Sequence, residues 1–400
     1  MIATVYPGIL QGTVSAPPSK SAAHRALICA ALADAPTAIR LGPLNRDIEA
    51  TMACLRALGA AIAPEGDDWQ VAPMVRDTEH CALDCGESGS TLRFLIPVAA
   101  TLGADVRFVG HGRLPERPNA VLTDALRKNG ATIDGDLLPM RVSGGLKSGW
   151  FELPGNVSSQ YISGLLFALP LLEGDSEIRL TAPLQSASYV NLTIQALSRF
   201  GVAVERTKTG WFVSGGQRYR SPARLAIEGD WSAAAFWLAA NATGSAVDVE
   251  GLDPDSAQGD RAVVKWLGES TIDATDVPDL VPALAVAAAA RPGMTVITGA
   301  ARLRLKESDR LETVPGMLKA LGIRADVHPD GLAVYGGSPH GGTVNGANDH
   351  RIVMAAAIAA TAADGPVTIT GAEAVAKSYP DFFRDFNALG GHAHVEQSGS

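Results

Sequence analysis

Eight basic side chains of this acidic, 400-residue chain stand where helices or loops begin: Lys20, Arg25, Arg93, Arg117, Lys306, Arg310, Arg351 and Lys377. A helix N-terminus carries a partial positive charge and unpaired N–H groups, so it attracts anions. Lys20 and Arg25, in Ser19-Lys20-Ser21-Ala22-Ala23-His24-Arg25, have the wrong sign for such a place unless a phosphate or carboxylate neutralises them. The segment Cys85-Gly86-Glu87-Ser88-Gly89-Ser90-Thr91-Leu92-Arg93 combines hydroxyls with glycines that let backbone approach a ligand closely. It lacks the lysine and spacing of a P-loop, which argues against a kinase of that type. His111-Gly112-Arg113-Leu114-Pro115-Glu116-Arg117-Pro118 adds two guanidinium groups, and Asn156-Val157-Ser158-Ser159-Gln160 adds neutral hydrogen bonding for a polyol or phosphate.

Carboxylates join these cations. Asp279 opens one helix in Asp276-Val277-Pro278-Asp279-Leu280, and Glu307 lies between cations in Lys306-Glu307-Ser308-Asp309-Arg310. Glu307 and Arg310, three residues apart, also fit an exposed helical pair worth a few tenths of a kcal/mol. Asn348-Asp349-His350-Arg351 opens another helix. If all eight cations face one cleft, that cleft suits two anionic substrates, with the carboxylates as proton carriers.

The elements that must position these groups recur. An apolar helical stretch ending in glycine appears six times, at Gly59, Gly130, Gly201, Gly268, Gly322 and Gly390, with spacings of 71, 71, 67, 54 and 68 residues. A steady period marks a copied supersecondary unit, here too long for a solenoid of helix pairs. A second, small-residue helix begins roughly 40 residues before each glycine, near Ser21, Ser90, Ser159, Ser232, Asp279 and Asp349. Ser and Asp at these places also read as ordinary helix caps. Strand-like stretches such as 104–109, 177–180 and 294–298 flank the helices, so each copy is an α/β unit and three copies suffice for each of two domains. Val213-Ser214-Gly215-Gly216-Gln217 reads as a hairpin turn, and Glu396 to Ser400 as a disordered tail.

Composition narrows the classes. A net charge of −9 argues against general nucleic-acid binding, which needs a basic face. No apolar run reaches the roughly 18 residues of a membrane span, and the N-terminus lacks the pattern of a signal peptide. Cys81 and Cys85 with adjacent His80 match no common zinc pattern, and Cys29 and Cys54 sit in apolar helical patterns. A reducing cytoplasm is the expected setting.

Taken in order, Ser19-Lys20-Ser21 with Arg25, Gly86-Glu87-Ser88-Gly89-Ser90-Thr91-Leu92-Arg93, Glu116-Arg117-Pro118, Ser158-Ser159-Gln160, Ile227-Glu228-Gly229-Asp230, Pro278-Asp279, Lys306 to Arg310 and Asp349-His350-Arg351 resemble the 3-phosphoshikimate 1-carboxyvinyltransferase (EPSP synthase) family over nearly the whole chain. The resemblance implies a two-domain, inside-out α/β barrel of six βαβαββ repeats, three per domain. It implies an N-terminal domain of residues 19–226 and a C-terminal domain of residues 1–18 with 227–400. The implied reaction moves the enolpyruvyl group of phosphoenolpyruvate to the 5-hydroxyl of shikimate 3-phosphate through a tetrahedral intermediate. No metal or cofactor is implied, and a monomer is expected.

Carried over to this sequence, the resemblance implies that Lys20, Ser21, Arg25, Ser158, Ser159, Gln160, Ser186, Asp279 and Lys306 hold shikimate 3-phosphate. It assigns Lys20, Gly89, Arg117, Gln160, Arg310, Arg351 and Lys377 to phosphoenolpyruvate, with Tyr189 beside the ring. Asp279 would accept the hydroxyl proton, Glu307 would protonate and later deprotonate C3, and Lys20 would assist phosphate departure. An acid role for Glu307 near neutral pH calls for desolvation, against which Lys306 and Arg310 work. The chain departs from the commonest family pattern at Glu87, Phe94 and Arg302. Gly89 implies moderate sensitivity to the phosphoenolpyruvate mimic glyphosate. The sister enzyme that uses UDP-N-acetylglucosamine has Lys-Asn in its first motif and a Cys in the loop equivalent to His111–Arg117; this chain has Lys20-Ser21 and no Cys there. A non-catalytic anion-binding protein on the same scaffold would not need Asp279 and Glu307 together.

Overall fold

The computed structural model describes residues 1–74 and 81–397, so His80 and the last three residues of the expected tail lie outside the described residues. The chain forms two compact units: Lys20–Ile227, and Met1–Ser19 together with Glu228–Ser400. Each has its own apolar core.

The helices of the Lys20–Ile227 unit are α1 (Lys20–Leu32), α2 (Arg46–Ala57), α3 (Gly89–Leu102), α4 (Ala120–Lys128), α5 (Ser159–Ala168) and α6 (Ala187–Arg199). Those of the other unit are α7 (Trp231–Ala242), α8 (Val263–Trp266), α9 (Val281–Ala289), α10 (Arg310–Ala320), α11 (His350–Ala360) and α12 (Phe382–Ala388). No described helix is long and apolar enough to cross a membrane.

The helices alternate in character. The odd-numbered ones are rich in Ala, Leu and Val on nearly every face, and every residue of α9 is buried. A helix without a polar face has to lie inside, and its alanines let neighbours approach closely. Thus α7, α9 and α11 pack on one another, and α3 packs on α5. Longer even-numbered helices such as α2 are amphipathic and end in glycine. Gly59, Gly130, Gly201, Gly322 and Gly390 all take φ between 75° and 96°, a conformation that disfavours any side chain.

Five sheets share one order, a parallel pair followed by two antiparallel neighbours. In the second copy Cys81–Asp84 runs parallel to Val106–Val109, which pairs with Met140–Val142, which pairs with Ile133–Asp134. The fourth copy is abbreviated. It has only Gln11–Ser15 beside Ala246–Glu250, its second helix α8 has four residues, and no hairpin follows Gly268. Thr271–Asp273 starts the next copy at once, which accounts for the short spacing of 54 residues. Two copies borrow a strand from far along the chain: Arg224–Ala226 lies parallel to Thr37–Arg40 and opens the first. In the sixth, Ile2–Tyr6 fills the place between Val367–Thr370 and His392–Glu396.

Two expectations are corrected. Val213 to Gln217 is not a hairpin turn. Gly210–Val213 already has Ser176–Leu180 and Glu205–Arg206 on its two sides, so the chain must leave the sheet. Asp175 then holds the Gly215 N–H at 3.0 Å. Glu396, counted with the disordered tail, ends the last strand because that segment pairs with the first.

Candidate active site

The buried helices begin near the polar residues singled out in the sequence; Asp349 caps α11 as expected, whereas the caps of α3, α5 and α7 stand one or two positions earlier than expected. Ser88, Ser158, Asp230 and Asp349 accept hydrogen bonds from the first turns of α3, α5, α7 and α11. That leaves Ser90 and Ser232 for other contacts. Asp279 caps nothing: it lies in a short 3-10 turn, Pro278–Leu280, and its carboxylate faces cations.

In the Lys20–Ile227 unit, Lys20 Nζ lies 2.7 Å from the Asp47 carboxylate in the first turn of α2. Behind it runs a buried chain of neutral groups. His24 Nδ1 and Thr51 Oγ1 are 2.7 Å apart, Thr51 and Thr91 hydroxyls 2.6 Å, and Thr91 donates to Ser88 Oγ at 2.7 Å. Burial, with Lys20 and Arg25 adding to it, holds the His24 imidazole well below its usual range. His24 is therefore neutral and lets this chain tie α1, α2 and α3 together without charge.

Arg25 donates from Nε to Thr193 Oγ1 (2.8 Å), from Nη1 to the Ser21 carbonyl (2.6 Å) and from Nη2 to the Tyr189 carbonyl (2.8 Å). Phe94 lies beneath the guanidinium, 5.0 Å from its ring centroid. Burial lowers Arg25 to about 10, leaving it cationic near neutral pH. Arg93 donates to Gln160 Oε1 at 2.7 Å and to Asn119 Oδ1 at 3.2 Å, and Gln160 Nε2 donates to Ser90 Oγ at 3.0 Å. Arg117 packs against Gly89 so closely that a Cβ there would lie 2.8 Å from Nη1. Ser159 is buried. Ser186 precedes α6 in the left-handed region with φ 56°, where a side chain costs about 1–2 kcal/mol.

In the other unit Arg310 is the hub. It is 1% exposed and bonds three carboxylates: Asp279 through Nη1 at 2.8 Å, Glu307 through Nη2 at 3.0 Å, and Asp349 through Nε and Nη2 at 2.8 and 3.1 Å. The Asp349 contact is a bidentate fork, the strongest geometry for this pair. Asp279 also meets Lys306 at 3.2 Å and Arg351 at 3.3 Å. Three cations and three carboxylates balance, which limits the cost of burying them. Glu307 lies outside α10, between a 3-10 turn and its cap Asp309, so it and Arg310 are not an exposed helical pair. Lys377 Nζ donates to the Asn348 carbonyl at 2.6 Å, fixing a loop in which Ala347 and Asn348 both have positive φ.

The titration shifts follow this arrangement. Burial pushes the Asp349 carboxyl up, but Arg310 pulls it down further, so it stays below the ordinary value. Burial lowers Lys306, and Asp279 and Glu307 only partly restore it. Burial raises Asp260 to about 6, and Asp279 adds to the shift against the pull of Arg351 and Ser232.

The eight cations fall into two groups, with Lys20, Arg25, Arg93 and Arg117 in one unit and Lys306, Arg310, Arg351 and Lys377 in the other. Sequence reasoning missed Asp349 as an anchor of Arg310, because its role as a helix cap already explained it. It also missed Asp47, Asp260 and the Thr51–Thr91 link. Asp47 and Asp260 had no sequence signal; hydroxyls on buried helices are the trace the link leaves. Of the departures from the family pattern, Phe94 supports Arg25, and Arg302 Nη2 donates to the Thr275 carbonyl at 2.7 Å.

The family model for EPSP synthase (3-phosphoshikimate 1-carboxyvinyltransferase) matches residues 6–275 and 268–386. The chain is 41% identical to the 3-phosphoshikimate 1-carboxyvinyltransferase of Clostridium kluyveri, covering 97% of each chain. It is 40% identical to that of Clostridium acetobutylicum, over 98% of this chain and 97% of the relative. Among solved structures, EPSP synthase from Acinetobacter baumannii superimposes with a TM-score of 0.83 at 27% identity, covering 99% of this chain and 100% of that one. The enolpyruvyl transferase NikO from Streptomyces tendae, with a TM-score of 0.79 at 19% identity over 98% of each chain, shares the fold. With its repeats, its motifs in order and full-length relatives agreeing, the chain belongs to the EPSP synthase family.

Proposed function

We propose that the chain transfers the enolpyruvyl group of phosphoenolpyruvate to the 5-hydroxyl of shikimate 3-phosphate, and that its two clusters divide the work. The observation that carries this division is Arg310, which holds Asp279 and Glu307 within hydrogen-bond reach of one guanidinium. Two carboxylates fixed on one cation suit a reaction that takes a proton from a hydroxyl and gives one to carbon.

In the Lys20–Ile227 unit, Lys20, Ser21, Arg25, Ser158, Ser159, Gln160 and Ser186 bind shikimate 3-phosphate. Three of the five Arg25 donors are committed to Ser21, Tyr189 and Thr193, which leaves one hydrogen on each Nη for a phosphate. In the other unit Asp279 and Lys306 meet the same substrate. Phosphoenolpyruvate pairs with Lys20, Gly89, Arg117, Gln160, Arg310, Arg351 and Lys377. The 5-oxygen bonds to C2 of the enol phosphate as Asp279 takes its proton, and C3 gains a proton from Glu307. The C2–O bond to phosphate then breaks, Lys20 stabilises the leaving anion, and Glu307 takes a proton back from C3. Phosphate and the enolpyruvyl ether are the products.

Phosphate release from phosphoenolpyruvate tests the reading. Release with shikimate 3-phosphate but not with UDP-N-acetylglucosamine is the expected result. Release with the sugar nucleotide alone, or with neither acceptor, contradicts it.

A further inference from the structure

Arg117 is 8% exposed, and among the described residues its Nε has no hydrogen-bond partner. Packing and the loop that carries it therefore set where its guanidinium lies. That loop, 110–117, rests on the loop 84–89, and both belong to the Lys20–Ile227 unit. Three ties join them. The His111 N–H donates to the Gly86 carbonyl at 2.7 Å. His111 Nε2 lies 3.0 Å from Asp84 Oδ2, while Asp84 Oδ1 accepts the Gly86 N–H at 2.9 Å. The third tie is one of shape. Gly112 has φ 55°, and a Cβ there would run into the Glu87 side chain from Cγ to Oε2. The Glu87 side chain fills the notch that this glycine leaves.

From Gly112 the path to Arg117 is short and stiff. Leu114 is 1% exposed and anchors the loop in the core. Leu114–Glu116 forms a 3-10 turn in which Pro115 fixes one backbone angle, and the Arg117 N–H donates to the Leu114 carbonyl at 3.2 Å. A shift at Gly112 is passed on to Arg117 rather than absorbed. The other two ties cannot replace the notch. One is a single backbone bond, and the His111–Asp84 pair is exposed, so solvent weakens it. The charge of Glu87, two residues before Gly89, opposes an incoming anion. What the residue offers at this place is its length and shape.

We propose, resting on the pairing of Arg117 with phosphoenolpyruvate inferred above, that Glu87 is a positioning residue for that substrate: seated against Gly112, it fixes the loop that holds Arg117 over Gly89. Glu87 is one of the places where the chain departs from the commonest family pattern, so this wedge is a property of this chain.

The test is steady-state enolpyruvyl transfer by the full-length protein and by Glu87→Ala, Glu87→Gln, Gly112→Ala and the double variant of Glu87→Ala with Gly112→Ala. Glu87→Ala should raise KM for phosphoenolpyruvate by about tenfold, with kcat and KM for shikimate 3-phosphate changed by less than about threefold. Glu87→Gln keeps the length and drops the charge, so its KM for phosphoenolpyruvate should stay within about threefold of the parent value or fall below it. Gly112→Ala should raise the same KM more in the parent than in Glu87→Ala, where the notch has no occupant to displace. If Gly112→Ala does not fold, the two Glu87 variants carry the comparison. A KM for phosphoenolpyruvate within about twofold of the parent in Glu87→Ala overturns the proposal. So does an equal rise in both KM values, a rise in Glu87→Gln as large as in Glu87→Ala, or an equal effect of Gly112→Ala in both backgrounds. These outcomes leave the reaction itself standing, whereas no transfer by the parent protein overturns the reading of the site and the role of Glu87 with it.

Discussion

In the Lys20–Ile227 unit Arg25 and Arg93 are held by hydroxyls, amides and carbonyls and Lys20 meets one carboxylate, Asp47, whereas in the other unit Arg310, Lys306 and Arg351 are packed against Asp279, Glu307 and Asp349. The first arrangement keeps its geometry when pH changes, because a neutral His24 and three hydroxyls do not titrate near neutrality. The second can move protons, but every charge in it depends on its neighbours. One unit is built to orient anions and the other to exchange protons, and substitutions in the two should fail differently.

Arg310→Leu should have the largest effect. It leaves three carboxylates facing one another, two of them buried or nearly so, and removing one partner of such a set costs about 3–5 kcal/mol. Urea denaturation should show the loss, and adding Asp349→Leu should recover part of it. Full stability in the single variant would break the picture of an ionic hub.

Asp279→Asn keeps the shape but not the charge, so kcat should fall by roughly 10²–10⁴-fold, the range for a positioned general base. Gln160→Ala, in the neutral network, should instead raise KM for both substrates while kcat falls much less. Steady-state kinetics of the two variants side by side separate these behaviours.

Asp260→Asn sharpens the pH contrast. The fold raises this carboxyl to about 6, so it favours the protonated form. The stabilising contribution of protonation is present at low pH and is lost as pH rises through about 6. The variant should therefore be more stable than the parent at pH 8 by up to about 3 kcal/mol, taking about 1.4 kcal/mol per pKa unit, with the gain shrinking toward pH 4. Melting curves across that range check it, and a gain that does not depend on pH would contradict the assignment.

The smallest of these effects is expected for Gly89→Ala. Its Cβ would lie 2.8 Å from Arg117 Nη1, so the guanidinium must shift by a few tenths of an ångström or more. A rise in KM for phosphoenolpyruvate of about tenfold, or about 1.4 kcal/mol, with stability nearly unchanged, is the expected outcome.

The repeat was legible because glycine is required where a helix ends in the left-handed region, and five of the six glycines in the pattern meet that need. The spacing of 54 residues, read in the sequence as part of a steady period, reflects the hairpin that the fourth copy lacks. The role of Val213 to Gln217 was not, because glycine and serine mark a bend without saying whether the flanking strands pair. At the site, Lys306, Glu307 and Arg310 stood out as a dense local motif. Asp349 did not, because one carboxylate both caps α11 and anchors Arg310, and the second role depends on a contact 39 residues away in sequence. Asp47 and Asp260 are likewise defined by tertiary neighbours.

The most direct test of the division between the clusters is single-turnover enolpyruvyl transfer at saturating substrate concentrations, comparing Asp279→Asn and Gln160→Ala with the parent protein. The account predicts a chemical step slowed by at least about a hundredfold in Asp279→Asn and by less than about tenfold in Gln160→Ala. A larger loss in Gln160→Ala, with Asp279→Asn near the parent rate, would contradict it.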